Sequence, residues 1–127
     1  MIALGIDIGG TTIKGGIVAD NGKLFDSFKM SVVKGETPEI TCQKLIKLVK
    51  KFLEEYHYDI KDIVGIGCGV PGIIDSTNGI VTFSSNLKWY NFPLKEVLEK
   101  GLGLPVKITN DANAAYHSLE RGQTIQA

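Results

Sequence analysis

The chain has 127 residues, 43% of them hydrophobic, with 14 basic and 14 acidic side chains and a formal net charge of zero. That length and apolar content suit one globular domain around a single packed core. With no basic run longer than the pair Lys50-Lys51, the sequence carries no electrostatic footprint for DNA, RNA or an anionic membrane. No apolar run approaches the roughly 20 residues that cross a bilayer. The opening MIALGIDIGG lacks a basic leader, so a cytoplasmic location is expected. Cys42 and Cys68 stand far apart, one on a helical and one on a strand pattern, which predicts reduced thiols. Two cysteines alone do not supply the four clustered ligands of a zinc site, so no metal is expected on them.

The apolar run Ile2 to Ile8, ending at Asp7-Ile8-Gly9-Gly10, predicts a strand and a sharp turn. A second strand is expected over Gly15 to Ala19 and a third over Lys23 to Phe28, joined through Asp20-Asn21-Gly22 by a tight primed turn. Thr37 as N-cap, Pro38 and Glu39 then announce a helix with Leu45, Leu48, Val49, Phe52, Leu53 and Tyr56 on one face. Ile63 to Val70 is the next strand, closed by Pro71-Gly72. A loop rich in Ser, Thr and Asn follows as far as Trp89, with a short strand at Ile80 to Phe83. Phe92 to Lys100 predicts a short helix, Pro105 to Thr109 a strand, and Ala112 to Arg121 a last helix stopped by Gly122. The order β-β-β-α-β-loop-α-β-α describes an α/β domain whose sheet begins antiparallel and continues parallel.

Three segments carry candidate chemistry. Asp7-Ile8-Gly9-Gly10-Thr11-Thr12 sets a carboxylate at a strand end before two glycines and two hydroxyls. Such a turn either wraps a phosphate, with the acid holding magnesium through water, or is an ordinary hairpin turn. It is not a Walker A loop, because Gly16-Ile17 stands where Lys-Ser/Thr is required and a strand follows in place of a helix. Gly67-Cys68-Gly69-Val70-Pro71-Gly72 matches the spacing of a dinucleotide fingerprint, yet Pro71 and the following Ile73-Ile74-Asp75 do not open a helix for a pyrophosphate. What remains is a strand end where small residues let a ligand approach the backbone. Thr109-Asn110-Asp111-Ala112 reads either as a helix cap or as a junction whose Asp111 accepts a proton from a substrate hydroxyl.

Taken in order, LGIDIGGTTIKGGIV, GCGVPGIID, SSNLKWYNFPL and VKITNDANAAYHSLERG resemble the N-terminal domain of ROK-family sugar kinases of the bacterial glucokinase kind. The fold this resemblance implies is that of actin-like ATPases, related to ribonuclease H, with a mixed sheet and helices on both faces. It further implies transfer of phosphate from ATP, with Mg2+, to the 6-hydroxyl of glucose or a related hexose. Asp7, Gly9, Gly10, Thr11 and Thr12 match the positions that contact the ATP phosphates, with Asp7 near the metal. Asp111 matches the catalytic base, and Gly72, Asn86, Asn110 and Asp111 match positions that bind the sugar. Lys14 reads as a solvated strand lysine. Trp89 and Tyr90 read as anchors of their loop, and His57 and His117 as helix residues without partners.

Members of the family resembled are more than twice this long. Residues 1–127 therefore correspond to the N-terminal lobe, and the second phosphate loop, adenine pocket, structural zinc motif and remaining sugar ligands belong to a C-terminal lobe beyond them. Alone, the chain is expected to be inactive and, with an apolar patch uncovered, to self-associate. A sugar-responsive repressor is a rival reading, against which stand the charge balance and a first strand beginning at Ile2. Another is a sugar-binding module without catalysis. N-acetylmannosamine, N-acetylglucosamine, fructose, allose and β-glucosides remain open as acceptors.

Overall fold

A computed structural model describes residues 1–110. The helix expected over 112–121, with Asp111 and His117, lies outside the described residues. Five strands form the main sheet in the order β3-β2-β1-β4-β8: β1 (Ile2–Ile8), β2 (Thr12–Ala19), β3 (Leu24–Ser31), β4 (Ile63–Gly69) and β8 (Val106–Thr109). The pairs β1·β2 and β2·β3 are antiparallel, while β1·β4 and β4·β8 are parallel, as the order of strands and crossovers predicts.

Alternation along β1 sends Leu4, Ile6 and Ile8 to one face, where they are buried with Ile13, Ile17, Ile66, Cys68 and Ile108. Both described helices pack there. Helix α1 (Pro38–Glu55) contributes Leu45, Val49, Phe52 and Leu53, and α2 (Leu94–Leu102) contributes Leu98 and Leu102. Gly101 of α2 leaves space for Ile46 of α1, whose Cδ1 lies 2.3 Å from where a Cβ would stand. Within the apolar face expected of α1, Leu48 is only half-buried and Tyr56 is 46% exposed, because the helix ends before Tyr56 can turn inward. Burial raises the Cys42 thiol to about 12 and pushes Cys68 higher still, so both cysteines are free and inert.

Three local expectations change. The hairpin between β2 and β3 uses a three-residue loop: Gly22 N donates to Ala19 O at 2.9 Å and Ala19 N to Lys23 O at 2.9 Å. Gly22 alone of the loop takes positive φ, at 81°, so a turn followed by a glycine bulge replaces the primed turn that Asn21-Gly22 suggested. His57 is not helical. It takes φ 61° just past α1, where His57 N bonds Glu54 O and Tyr58 N bonds Leu53 O, the pairing that satisfies a helix's last carbonyls when the chain reverses in the left-handed region.

The third change is the largest. The segment expected to be a loop with one strand is a three-stranded antiparallel sheet of β5 (Ile73–Asp75), β6 (Ile80–Ser84) and β7 (Trp89–Phe92). Val81, Trp89 and Phe92 drive it onto the core, with Trp89 2% exposed and its ring 5.2 Å from that of Phe92. Phe92 therefore belongs to β7, and α2 starts two residues later than its sequence pattern suggests. Trp89 anchors the segment as expected, whereas Tyr90 is 63% exposed and rests on Phe83 at 5.4 Å.

Candidate active site

Parallel strands share a direction, so β1, β4 and β8 all deliver their carboxyl ends to one edge of the sheet, the edge at which open α/β sheets bind ligands. Register makes those ends level. Asp7 pairs with Gly69, and Gly69 with Thr109, so the turn after β1, the turn after β4 and Asn110 emerge side by side. From Asp7 to Thr109 is two strand spacings, about 10 Å.

The first turn is held tightly. Gly9 N donates to Thr12 O at 2.9 Å, and a Cβ on Gly9 would stand 2.8 Å from that same oxygen, so only glycine fits. Val32 N donates to Thr11 O at 2.9 Å and ties the turn to the end of β3. Gly10 and Thr11 are exposed, and Thr12 is half-buried at the start of β2. Asp7 is exposed while its neighbours Ile6 and Ile8 point into the core. Among the described residues no group of three or more His, Cys, Asp and Glu forms a metal cage. Asp7 thus offers one carboxylate, a donor set that fits magnesium held by phosphates and water with a single outer acid.

The second turn depends on Gly72, whose φ is 128°, a conformation closed to other residues. A Cβ there would fall 2.2 Å from Phe83 O and 3.0 Å from Ser84 Cα, because β6 passes directly behind it. Gly72 and Asn110, both exposed, line one shallow recess of about 390 Å³ with Ile73, Ile74, Ser76 and Thr109. Of the residues matched to sugar binding, the structure therefore brings these two together. Asn86 sits in a separate recess of about 330 Å³ shared with Gly10, Thr11, Glu36, Thr41 and Trp89. There the Asn86 Cβ lies 3.4 Å from where a Cβ on Gly10 would be, so the Gly9–Thr12 turn and the Asn86 turn abut. Buried Ser84 accepts from Leu87 N at 3.4 Å and shapes that turn.

Sequence reasoning missed the floor of the second recess. Glu36 accepts from Thr41 Oγ1 at 3.1 Å and pairs with Lys44, whose ammonium holds the carboxyl below the ordinary range against the opposing effect of burial. These residues straddle the start of α1, and the fold brings Glu36 into one recess with Thr11 and Asn86. No linear spacing signals that.

Comparison with known proteins identifies the family. The ROK family model matches residues 3–126. The chain belongs to the ROK family. This ROK domain is 35% identical over 112 residues to a glucokinase of Halalkalibacterium halodurans, covering 88% of the chain and 34% of that protein. It is 37% identical over 113 residues to a xylose repressor of Caldicellulosiruptor bescii, covering 87% of the chain and 28% of that protein. Its fold superposes on the crystal structure of a ROK family glucokinase from Streptomyces griseus in complex with glucose and AMPPNP, with a TM-score of 0.78 and 32% identity, over 100% of this chain and 38% of that one. The ROK domain thus spans about a third of the length of these relatives. The likeness bears out the α/β, actin-like fold expected from the sequence.

Gly72→Ala tests whether the recess depends on that backbone. With its Cβ driven into Phe83 O, the variant is expected to lose about 2–4 kcal/mol of stability, read by urea unfolding, with the largest amide shifts in β5 and β6. Wild-type stability in the variant would show that β6 does not pin this turn.

Proposed function

We propose that this ROK domain is the acceptor- and phosphate-binding lobe of an ATP-dependent hexose kinase that phosphorylates the 6-hydroxyl of glucose or a closely related sugar in the cytoplasm. The observation that carries this reading is the level alignment of three strand ends, which sets the Gly9–Thr12 turn beside Gly72 and Asn110 in a chain of this family. Relatives that are glucokinases, one solved with glucose and an ATP analogue, support both substrates. The absence of a membrane-crossing helix among the described residues agrees with the location.

Each residue then has a task. Backbone N–H groups of Gly10 and Thr11 with the hydroxyls of Thr11 and Thr12 hold phosphate oxygens, and the glycines let those oxygens approach. Magnesium, when bound beside Asp7, would neutralise part of the phosphate charge. The backbone at Gly72 and the amides of Asn86 and Asn110 fix sugar hydroxyls, since an amide both donates and accepts. Asp111, outside the described residues, takes the proton of the attacking hydroxyl. The remaining ligands of the site, including any structural zinc, fall to the second lobe.

A regulatory reading also has support, because a xylose repressor is as similar as the glucokinase. On that reading the domain binds sugar without transferring phosphate. Asp111→Asn in the complete protein separates the two: the amide keeps a hydrogen bond but cannot take the proton, so phosphorylation is expected to fall by about 10²- to 10⁴-fold with sugar affinity little changed. A complete protein that binds sugar yet shows no turnover even with Asp111 intact would favour the regulator. Thr11→Val is expected to raise KM for ATP severalfold with the sugar KM unchanged, and a change in sugar KM alone would remove the turn from phosphate binding.

The proposal extends to self-association. Register lines up Ile73, Phe83 and Tyr90 across the small sheet, exposed by 63%, 38% and 63%, an apolar row that a second copy would cover. Sedimentation of the chain at rising concentration is expected to show a growing dimer fraction. A monomer throughout would refute it.

A further inference from the structure

The apolar row of the small sheet runs into the recess at Gly72. Ile73, the first residue of β5, is both a wall of that recess and the head of the row: it pairs with Phe83 of β6, which pairs in turn with Tyr90 of β7. Directly paired residues of antiparallel strands share a face, and the rings of Phe83 and Tyr90 lie 5.4 Å apart, inclined at 45°. The backbone joins row and recess as well, since Phe83 O lies 2.2 Å from where a Cβ on Gly72 would stand. With strands about 4.8 Å apart, the row extends about 10 Å from Ile73 to Tyr90, room for one sugar ring beyond the recess.

Polar and apolar groups are divided between the two features. Ser76 and Asn110 bring a hydroxyl and an amide to the recess, whereas the row offers only an aliphatic side chain and two aromatic rings. A pyranose ring has the matching division. Its hydroxyls radiate from the rim, and its C–H bonds form an apolar face that packs on an aromatic ring. An exposed apolar row that begins at a polar recess therefore suits a ligand whose first ring is held by hydrogen bonds and whose second ring is held by stacking.

We infer that Ile73, Phe83 and Tyr90 form a stacking platform for a second pyranose ring, joined by a glycosidic bond to the sugar held at Gly72 and Asn110. The inference rests on the acceptor reading of that recess and extends it to three residues outside the set matched to sugar binding. The site then takes a disaccharide more tightly than a free hexose, with the ring that carries the reacting hydroxyl in the recess.

The test titrates glucose and, separately, cellobiose into the nitrogen-15-labelled chain and into Tyr90→Ser. It is run at a dilution where sedimentation shows monomer, since a second copy would cover the row. Tyr90 is exposed and lines neither recess, and the amide spectrum of the variant checks that its fold is kept. Both sugars are expected to shift the amides of Gly72, Ile73 and Asn110, and cellobiose alone to shift Tyr90 as well. Cellobiose is expected to bind about three- to tenfold more tightly than glucose, the contribution of one stacked ring. Tyr90→Ser is expected to remove most of that margin and to leave glucose affinity unchanged. If both sugars shift the recess amides alone and bind equally, the platform is overturned and the acceptor reading stands. If cellobiose shifts Tyr90 but neither Gly72 nor Asn110, the platform stands and the recess is misassigned. No shift with either sugar overturns both.

Discussion

Parallel pairing of β4 with both β1 and β8 is the constraint on which the site depends. Backbone hydrogen bonds fix Asp7 level with Gly69 and Gly69 level with Thr109, before any side chain is considered. A slip of one residue in either ladder would turn Ile6, Cys68 or Ile108 out of the core, where each is now buried. The hydrophobic core thus sets the register, and the register sets the alignment of the turns. What the core stabilises is the relative height of three strand ends, and the candidate chemistry is mounted on those ends.

Close backbone approach is the second layer. Gly9, Gly10 and Gly72 each stand where a Cβ would meet Thr12 O, the Asn86 side chain or Phe83 O. These contacts set the first turn against the Asn86 turn and the Gly72 turn against β6. Ligand-facing surface in such a site is mostly backbone, whose N–H and C=O groups are fixed by the fold and cost little entropy to present.

Much of this was legible in the sequence where the signal is local. The alternation in β1, the Thr37-Pro38 start of α1 and the glycines after Asp7 each follow from residues within a few positions of one another. What was not legible is long-range. Strands β5 to β7 have three to five residues each, too short for a period to show, and they exist because Val81, Trp89 and Phe92 find a core made by distant segments. The αL turn at His57 follows from the reversal after α1, with no glycine to announce it. The row of Asp7, Lys14 and Lys29 across the main sheet likewise exists only through register.

The Asn86 turn shows how distant packing holds a candidate site residue. Lys88 and Asn91 both take positive φ, at 57° and 49°. Each costs about 1–2 kcal/mol for a residue with a Cβ. Trp89 lies between them, almost wholly buried against Phe92, and a buried aromatic of that size contributes more than about 3 kcal/mol. Burial of the indole is therefore of the same size as the cost of both strained residues, about 2–4 kcal/mol together. Asn86 stays exposed beside Gly10. Position in this loop is set by an aromatic anchor whose ring is buried against Phe92 while part of the residue still borders the recess that holds Asn86 and Gly10.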